Sequence, residues 1–213
     1  MRNSAISLVM TALLVQSTWG CGSMTGMPQA RSVGEDVFEF GFAVSFASAF
    51  GDDELIGIPI LDFIFRYGLT DEVDMALRLN SVAMLAIDAK IELADEEDAT
   101  VAIMPVVGIS FAPLVSGKTM SSGTILQLEL GILGDYHASE DVTATLGTKY
   151  TMWLPTSDGA ANHFIGVEGG ADIAVSDHIA LRPLTAMLFE VGGQGGGFTD
   201  ILGQFGLGMK YRE

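Results

Sequence analysis

The sequence predicts an all-β protein, a closed up-and-down antiparallel β-barrel of about ten strands. Three observations predict it. Apolar and polar residues alternate with period two from Val37 almost to the carboxyl terminus, the pattern of strands whose two faces meet different surroundings. Short acidic turns alternate with longer Gly- and Ser-rich connections, as they do where strands run up and down in sequence order. The chain of 213 residues also combines 49% hydrophobic residues with a net charge of −17, so one type of element must present two unlike faces. That length suits a single barrel domain. The acidity excludes a nucleic-acid binder, which phosphates would repel. The hydrophobicity excludes a disordered acidic chain.

Residues 1–20 read as an export signal. Arg2 supplies positive charge, residues 5–15 (AISLVMTALLV) form an apolar run, and the small residues Thr18 and Gly20 precede a cut before Cys21,. The run is shorter than the ~20 apolar residues a spanning helix needs, and no later stretch reaches that length. Cys21 is the one cysteine, which excludes a disulfide within the chain. Its setting, Gly20-Cys21-Gly22-Ser23, resembles a bacterial lipoprotein signal, although Thr18 and Trp19 depart from that pattern. Two readings stay open, lipidation of Cys21 and ordinary signal cleavage beside an incidental thiol. Residues 21–36 are expected to form a linker, with Cys21 as the candidate lipidation residue, and residues 37–213 the barrel domain.

Each predicted strand divides into two faces. Phe38, Phe40, Phe42, Val44 and Phe46 oppose Glu39, Gly41, Ala43, Ser45 and Ala47. Leu61, Phe63, Phe65 and Tyr67 oppose Asp62, Ile64 and Arg66; Val73, Met75, Leu77 and Leu79 oppose Asp74, Ala76 and Arg78. Leu85, Ile87, Ala89, Ile91 and Leu93 oppose Ala86, Asp88, Lys90 and Glu92. In the next strand, Val101, Ile103, Val107 and Ile109 share a face with Pro105, which predicts a bulge there. Leu126, Leu128, Leu130 and Ile132 oppose Gln127, Glu129 and Gly131. Leu146, Thr148, Tyr150 and Met152 oppose Thr145, Gly147 and Lys149. Ile165, Val167 and Ile173 oppose Gly166, Glu168 and Asp172; Leu181, Met187 and Phe189 oppose Arg182 and Glu190. Phe205, Leu207, Met209 and Tyr211 oppose Gln204, Gly206, Gly208 and Lys210.

The turns Leu69-Thr70-Asp71-Glu72-Val73, Ala138-Ser139-Glu140-Asp141-Val142 and Val175-Ser176-Asp177-His178-Ile179 are variants of one tight design. Each has a hydroxyl residue, then polar residues, then a β-branched residue opening the next strand. The strand–turn–strand segment at residues 66–79 (RYGLTDEVDMALRL) resembles the repeating unit of bacterial outer-membrane β-barrel proteins. The likeness runs over roughly residues 37–211. It implies residence in the outer membrane, with outer-membrane lipid and the barrel-assembly machinery as partners and both chain ends on the periplasmic side. Such proteins usually finish on an aromatic residue, whereas here Tyr211 is followed by Arg212 and Glu213.

The residues on the polar faces favour the same reading. They include many small residues, as the concave side of a narrow barrel requires, and six of the ten basic residues. A network of paired charges inside the lumen is therefore expected from Asp62, Arg66, Asp74, Arg78, Asp88, Lys90, Glu129, Lys149, Glu168, Arg182 and Lys210, because buried charges need partners. Glu39, Glu92, Asp135, Asp172 and Glu190 share those faces. A soluble sandwich with a salt-bridged outer surface is the bland alternative. Tyr67, Tyr136, Tyr150, Trp153, Phe50, Phe111 and Tyr211 lie near strand ends, where girdle aromatics sit.

Signs of catalysis are sparse. His137 and His178 belong to turns and are far apart in sequence. His163 follows Asp158 in a long connection, and outer-membrane proteases of the resembled class use a histidine with acidic residues at the outer rim. The acidic run Asp95-Glu96-Glu97-Asp98 reads as a solvated turn, and no His/Cys cluster has metal-ligand spacing. No metal or cofactor is expected. The function expected is that of a non-enzymatic outer-membrane barrel acting as a structural element, a narrow porin-like pore or a scaffold for surface loops. The alternative is a lipid-anchored soluble β-barrel that binds a small hydrophobic ligand.

Overall fold

Side chains that alternate between β-branched or aromatic residues and small or charged ones pair best across a pleated sheet with unlike faces. The computed structural model shows that arrangement throughout. It describes residues 29–50, 56–81, 84–110, 113–116, 119–122, 124–156, 160–191 and 201–213. The expected signal, Cys21 and Asp158 lie outside the described residues.

The strands are β1 (Phe38–Phe50), β2 (Ile56–Gly68), β3 (Val73–Asn80), β4 (Met84–Asp95), β5 (Ala99–Ser110), β6 (Pro113–Ser116), β7 (Thr119–Ser122), β8 (Ile125–Ser139), β9 (Val142–Pro155), β10 (Asn162–Ser176), β11 (Ile179–Val191) and β12 (Ile201–Arg212). Ten of them close into a barrel in the order β1-β12-β11-β10-β9-β8-β5-β4-β3-β2, every neighbouring pair antiparallel. The remaining two, β6 and β7, form a small hairpin within the connection from β5 to β8. The sequence had suggested only a loop there. The closing seam pairs β1 with β12 from Glu39↔Arg212 to Phe50↔Ile201. The start of β1, the end of β12 and the connections β2–β3, β4–β5, β8–β9 and β10–β11 therefore share one end, the short-turn end.

The faces have the predicted parity. Large apolar side chains such as Phe46, Leu77, Ile87, Leu130, Leu146 and Phe205 are exposed on the outer surface, while Glu39, Asp74, Arg66, Lys90 and Arg182 are buried. Aromatic residues concentrate on the exterior near the seam, where Phe40 meets Phe65, Phe42 meets Phe63 and Phe46 meets Phe205 with ring centroids 5.1, 5.3 and 5.8 Å apart. Tyr67, Tyr136 and Tyr211 are exposed on the outer wall toward the short-turn end.

Two expectations need correction. Pro105 makes no bulge. The register between β4 and β5 is the same on either side of it, and only the pairs at Met104 and Pro105 lapse, while pairing with β8 runs straight through. Proline forfeits a ladder bond without having to add a residue. The bulge lies instead between Glu92 and Ala94. Trp153 also differs from expectation. It is buried inside the barrel because it shares parity with Lys149 and Thr151 rather than with Tyr150. Phe111 lies outside the described residues, as does the side chain of Phe50.

The exposed apolar wall gives a direct test. Leu130, 55% exposed at the middle of β8, when changed to Lys should lower unfolding stability in phospholipid vesicles by about 2–4 kcal/mol, the cost of a cation at the bilayer midplane. On a wall facing water the same change would alter stability by no more than about 0.5 kcal/mol. Denaturant titration followed by tryptophan emission measures the difference.

Candidate functional site: the lumen

The inward face is built in two zones. Toward the short-turn end it is ionic. Arg66 bridges Asp74 and Asp88, the latter at 3.1 Å, and Arg78 also holds Asp88. Lys90, directly opposite Asp74 across the β3–β4 ladder, reaches it at 2.9 Å. On the other wall Lys149 lies 3.0 Å from Glu168 and 3.6 Å from Glu129. Asp172 takes Arg182 at 2.8 Å and Lys210 at 2.9 Å, and Glu39 takes Arg212 at 2.9 Å. Asp62 accepts the Ser45 hydroxyl at 3.3 Å. All eleven residues named from the sequence are thus buried inside the barrel. Glu39, Asp135 and Asp172 belong with them, and alternation alone had placed them on the same faces.

Glycines make room for these side chains. Lys149 stands opposite Gly131 on β8 and Gly166 on β10. A Cβ at Gly166 would lie 3.2 Å from the Lys149 stem, and one at Gly147 would lie 3.2 Å from the Glu168 stem. The closer obstacles are leucines, since the same Cβ atoms would overlap Leu188 and Leu133. These glycines therefore make room for inward leucines as well as for the charged stems.

Toward the long-loop end the inward face becomes apolar. Ala47, Ile60, Ile125, Trp153, Phe164, Ala186, Leu188 and Leu202 form one buried cluster contributed by β1, β2, β8, β9, β10, β11 and β12. Trp153 and Phe164 pack with ring centroids 4.5 Å apart. Asn162 on β10 and Glu190 on β11 share the inward face and stand still nearer the loops.

At the short-turn end the described part of the expected linker, residues 29–36, runs across the mouth and bonds to its wall. The backbone N–H groups of Ala30 and Arg31 donate to Asp135 Oδ2 at 2.8 and 3.0 Å, that of Ser32 donates to Glu92 Oε2 at 2.8 Å, and that of Val33 donates to Asp74 Oδ2 at 3.3 Å. The Arg31 carbonyl in turn accepts from Lys90 Nζ at 2.5 Å. Ala30 is completely buried. This strap turns into β1 through Gly34, whose φ of +96° favours glycine. It passes so close to β2 that a Cβ on Gly68 would overlap the Gly34 carbonyl. An extended segment without periodicity gives no sign in the sequence that its amides will seek carboxylates.

The histidines lie apart from the charge network. His163 stacks on Tyr150 on the outer wall, sharing a 2.5 Å hydrogen bond with its hydroxyl. His137 contacts the Thr100 and Thr143 hydroxyls, and His178 the Arg212 carbonyl. Among the described residues no group of three His, Cys, Asp or Glu side chains is placed to hold a metal ion.

No protein family and no curated protein sequence matches the chain. Several solved structures are similar to it in architecture. The translocator domain of the autotransporter NalP from Neisseria meningitidis is 10% identical, with 82% of this chain and 88% of that one covered at a TM-score of 0.47. Neisserial surface protein A is also 10% identical, with 83% and 99% covered and a TM-score of 0.44. The outer membrane protease OmpT from Escherichia coli is 9% identical, with 83% and 95% covered and a TM-score of 0.44.

Two substitutions test the site. Lys149→Met leaves Glu129 and Glu168 facing each other uncompensated and should cost about 3–5 kcal/mol; adding Glu129→Gln and Glu168→Gln should restore most of that loss in denaturant titrations. Asp135→Ala removes the acceptor of two strap amides and of the Thr145 hydroxyl. Because each buried donor left unpaired costs about 1–3 kcal/mol, trypsin should cut after Arg31 about tenfold faster, as mass spectrometry of timed digests would show.

Proposed function

We propose that the chain is an integral outer-membrane β-barrel protein, non-enzymatic and non-conducting, that serves as a structural element and as a scaffold for its long loops. The observation that carries this is the combination of an apolar outer wall with an inward face of paired charges and a buried apolar cluster. A closed barrel satisfies all its backbone groups internally and so can face hydrocarbon. Its charges are paired inside, away from that hydrocarbon. Outer-membrane lipid is accordingly its surrounding partner, and insertion falls to the barrel-assembly machinery. The signal at residues 1–20 exports the chain, and Cys21 is the candidate for lipidation. With an even number of barrel strands, and with β1 beginning and β12 ending at the short-turn mouth, that mouth faces the periplasm,.

Of the expected roles, the narrow pore fits least well. The apolar cluster around Trp153 and Phe164 closes one half of the lumen, the ion-paired half holds its own counter-charges, and the strap crosses the mouth. A ten-stranded barrel has little interior beyond what such side chains occupy. The soluble ligand-binding alternative requires an apolar, accessible interior and a polar exterior, the reverse of the polarity here. A rim protease site would need His163 turned toward the lumen, and its ring lies on the outer wall beside Tyr150.

Planar-bilayer recording tests the reading. The purified full chain should insert without producing stepwise ion currents across applied voltages. Reproducible unitary steps from the unaltered protein would overturn the non-conducting assignment.

A further inference from the structure

Beside the described part of the strap, residues 29–36, the short-turn mouth holds a pocket. The strap follows the wall from Gly68 past Asp74 and Glu92 to Asp135, and the side chain of Gln29 then reaches Lys210 on β12 at 3.4 Å. Between Gln29 and the β8–β9 and β10–β11 turns lies a pocket of about 200 Å³. Its lining holds five carboxylates, Glu39, Glu140, Asp141, Asp172 and Asp177, against two cationic side chains, Lys210 and Arg212. Lys210 and Arg212 are already engaged by Glu39 and Asp172. The rim residues Glu140, Asp141 and Asp177 are exposed and leave the pocket negative.

Asp172 marks this pocket as more than an acidic surface. The residue is 7% exposed, and its Oδ2 accepts from both Arg182 and Lys210. Its Oδ1, although buried, has no hydrogen-bond partner. A buried carboxylate oxygen without a donor is costly, and one further donor would satisfy it. The carboxylates do not converge as a divalent cation requires, since no three described acidic or histidine side chains form such a group,. The volume is below that of a drug-sized site and suits one small group.

We propose that this mouth pocket binds a single organic cation, the ammonium or guanidinium end of a lysine-like or arginine-like group. The cation donates to Asp172 and is drawn in by the rim carboxylates. Such a group comes either from a free polyamine or from a side chain on a basic segment of another protein. The proposal concerns the mouth alone and stands whether or not the barrel conducts.

The test is titration of the full chain, in nanodiscs of uncharged phosphatidylcholine, with spermidine and separately with a fluorescein-labelled peptide of alternating Lys and Ser. Asp172→Asn, and separately the exposed pair Glu140→Gln with Asp141→Asn, should each weaken saturable binding about tenfold. The triple change Glu96→Gln, Glu97→Gln and Asp98→Asn removes more charge from the β4–β5 turn, outside the pocket, and should weaken binding by less than about threefold. Retention of the heat-dependent gel shift shows that each variant is folded, and the exposed rim pair keeps the test decisive if Asp172→Asn fails to fold. Tight binding of spermidine assigns a free amine, and binding of the peptide alone assigns a protein segment. Absence of saturable binding, or weakening that follows the number of charges removed regardless of position, would overturn the proposal.

Discussion

Closure of the hydrogen-bond ladder between β1 and β12 is the constraint from which the other features follow. The seam runs in unbroken antiparallel register along both strands, and with it the sheet has no edge. Each barrel strand then has partners on both sides, so the outer surface can be largely apolar without stranding a row of polar groups in hydrocarbon. That surface carries Leu, Ile, Val, Met and Phe side chains almost throughout. An open sheet of the same sequence would expose a row of unpaired backbone groups on Phe-rich β1, the pattern that invites aggregation.

Closure also determines what the interior has to be. Alternation sends every second residue into a narrow space with little water, and six of the chain's bases are among them. Each of these six lies near a carboxylate on a neighbouring strand, and Lys210 also reaches Asp172 across β11. Most of these pairs lie diagonally or directly across adjacent strands, where side chains on one face meet. The network therefore reports correct register as well as charge balance, since a slip of one residue would turn the charges into the bilayer. The same carboxylates perform a second task at the mouth, where Asp74, Glu92 and Asp135 accept backbone amides of the strap. Strap and network are one structure, and Lys90, bonded to both Asp74 and the Arg31 carbonyl, joins them.

Much of this was legible in the sequence, for identifiable reasons. Period-two alternation is a local property, so strand number, the faces of residues such as Phe40, Leu77, Asp88 and Lys149, and the shared location of the tight turns could all be read directly. What was not legible depended on contacts between distant segments. Which carboxylate answers Arg66 or Lys149 depends on register between strands. The strap's contacts at residues 30–33 come from backbone amides, which carry no sequence signal. Trp153 was misplaced because its position near a strand end outweighed its parity with Lys149. Pro105 was expected to force a bulge, but a proline in a ladder can simply omit a bond. The hairpin β6–β7 is too short to show a period within a Gly- and Ser-rich stretch.

The claim beneath all of this is that hydrocarbon lies outside the barrel and the charges lie within. Site-directed spin labelling along β8 tests it most directly. On a Cys21→Ser background, single cysteines would be introduced one at a time from Leu126 to Leu133 and labelled in vesicles. Accessibility would then be compared between oxygen, which partitions into lipid, and a water-soluble nickel chelate. The structure predicts a period of two, with oxygen contact high at Leu126, Leu128, Leu130 and Ile132 and both reagents low at Gln127, Glu129, Gly131 and Leu133. High nickel-chelate contact at Gln127 and Glu129, with Leu128 and Leu130 shielded from both reagents, would contradict it.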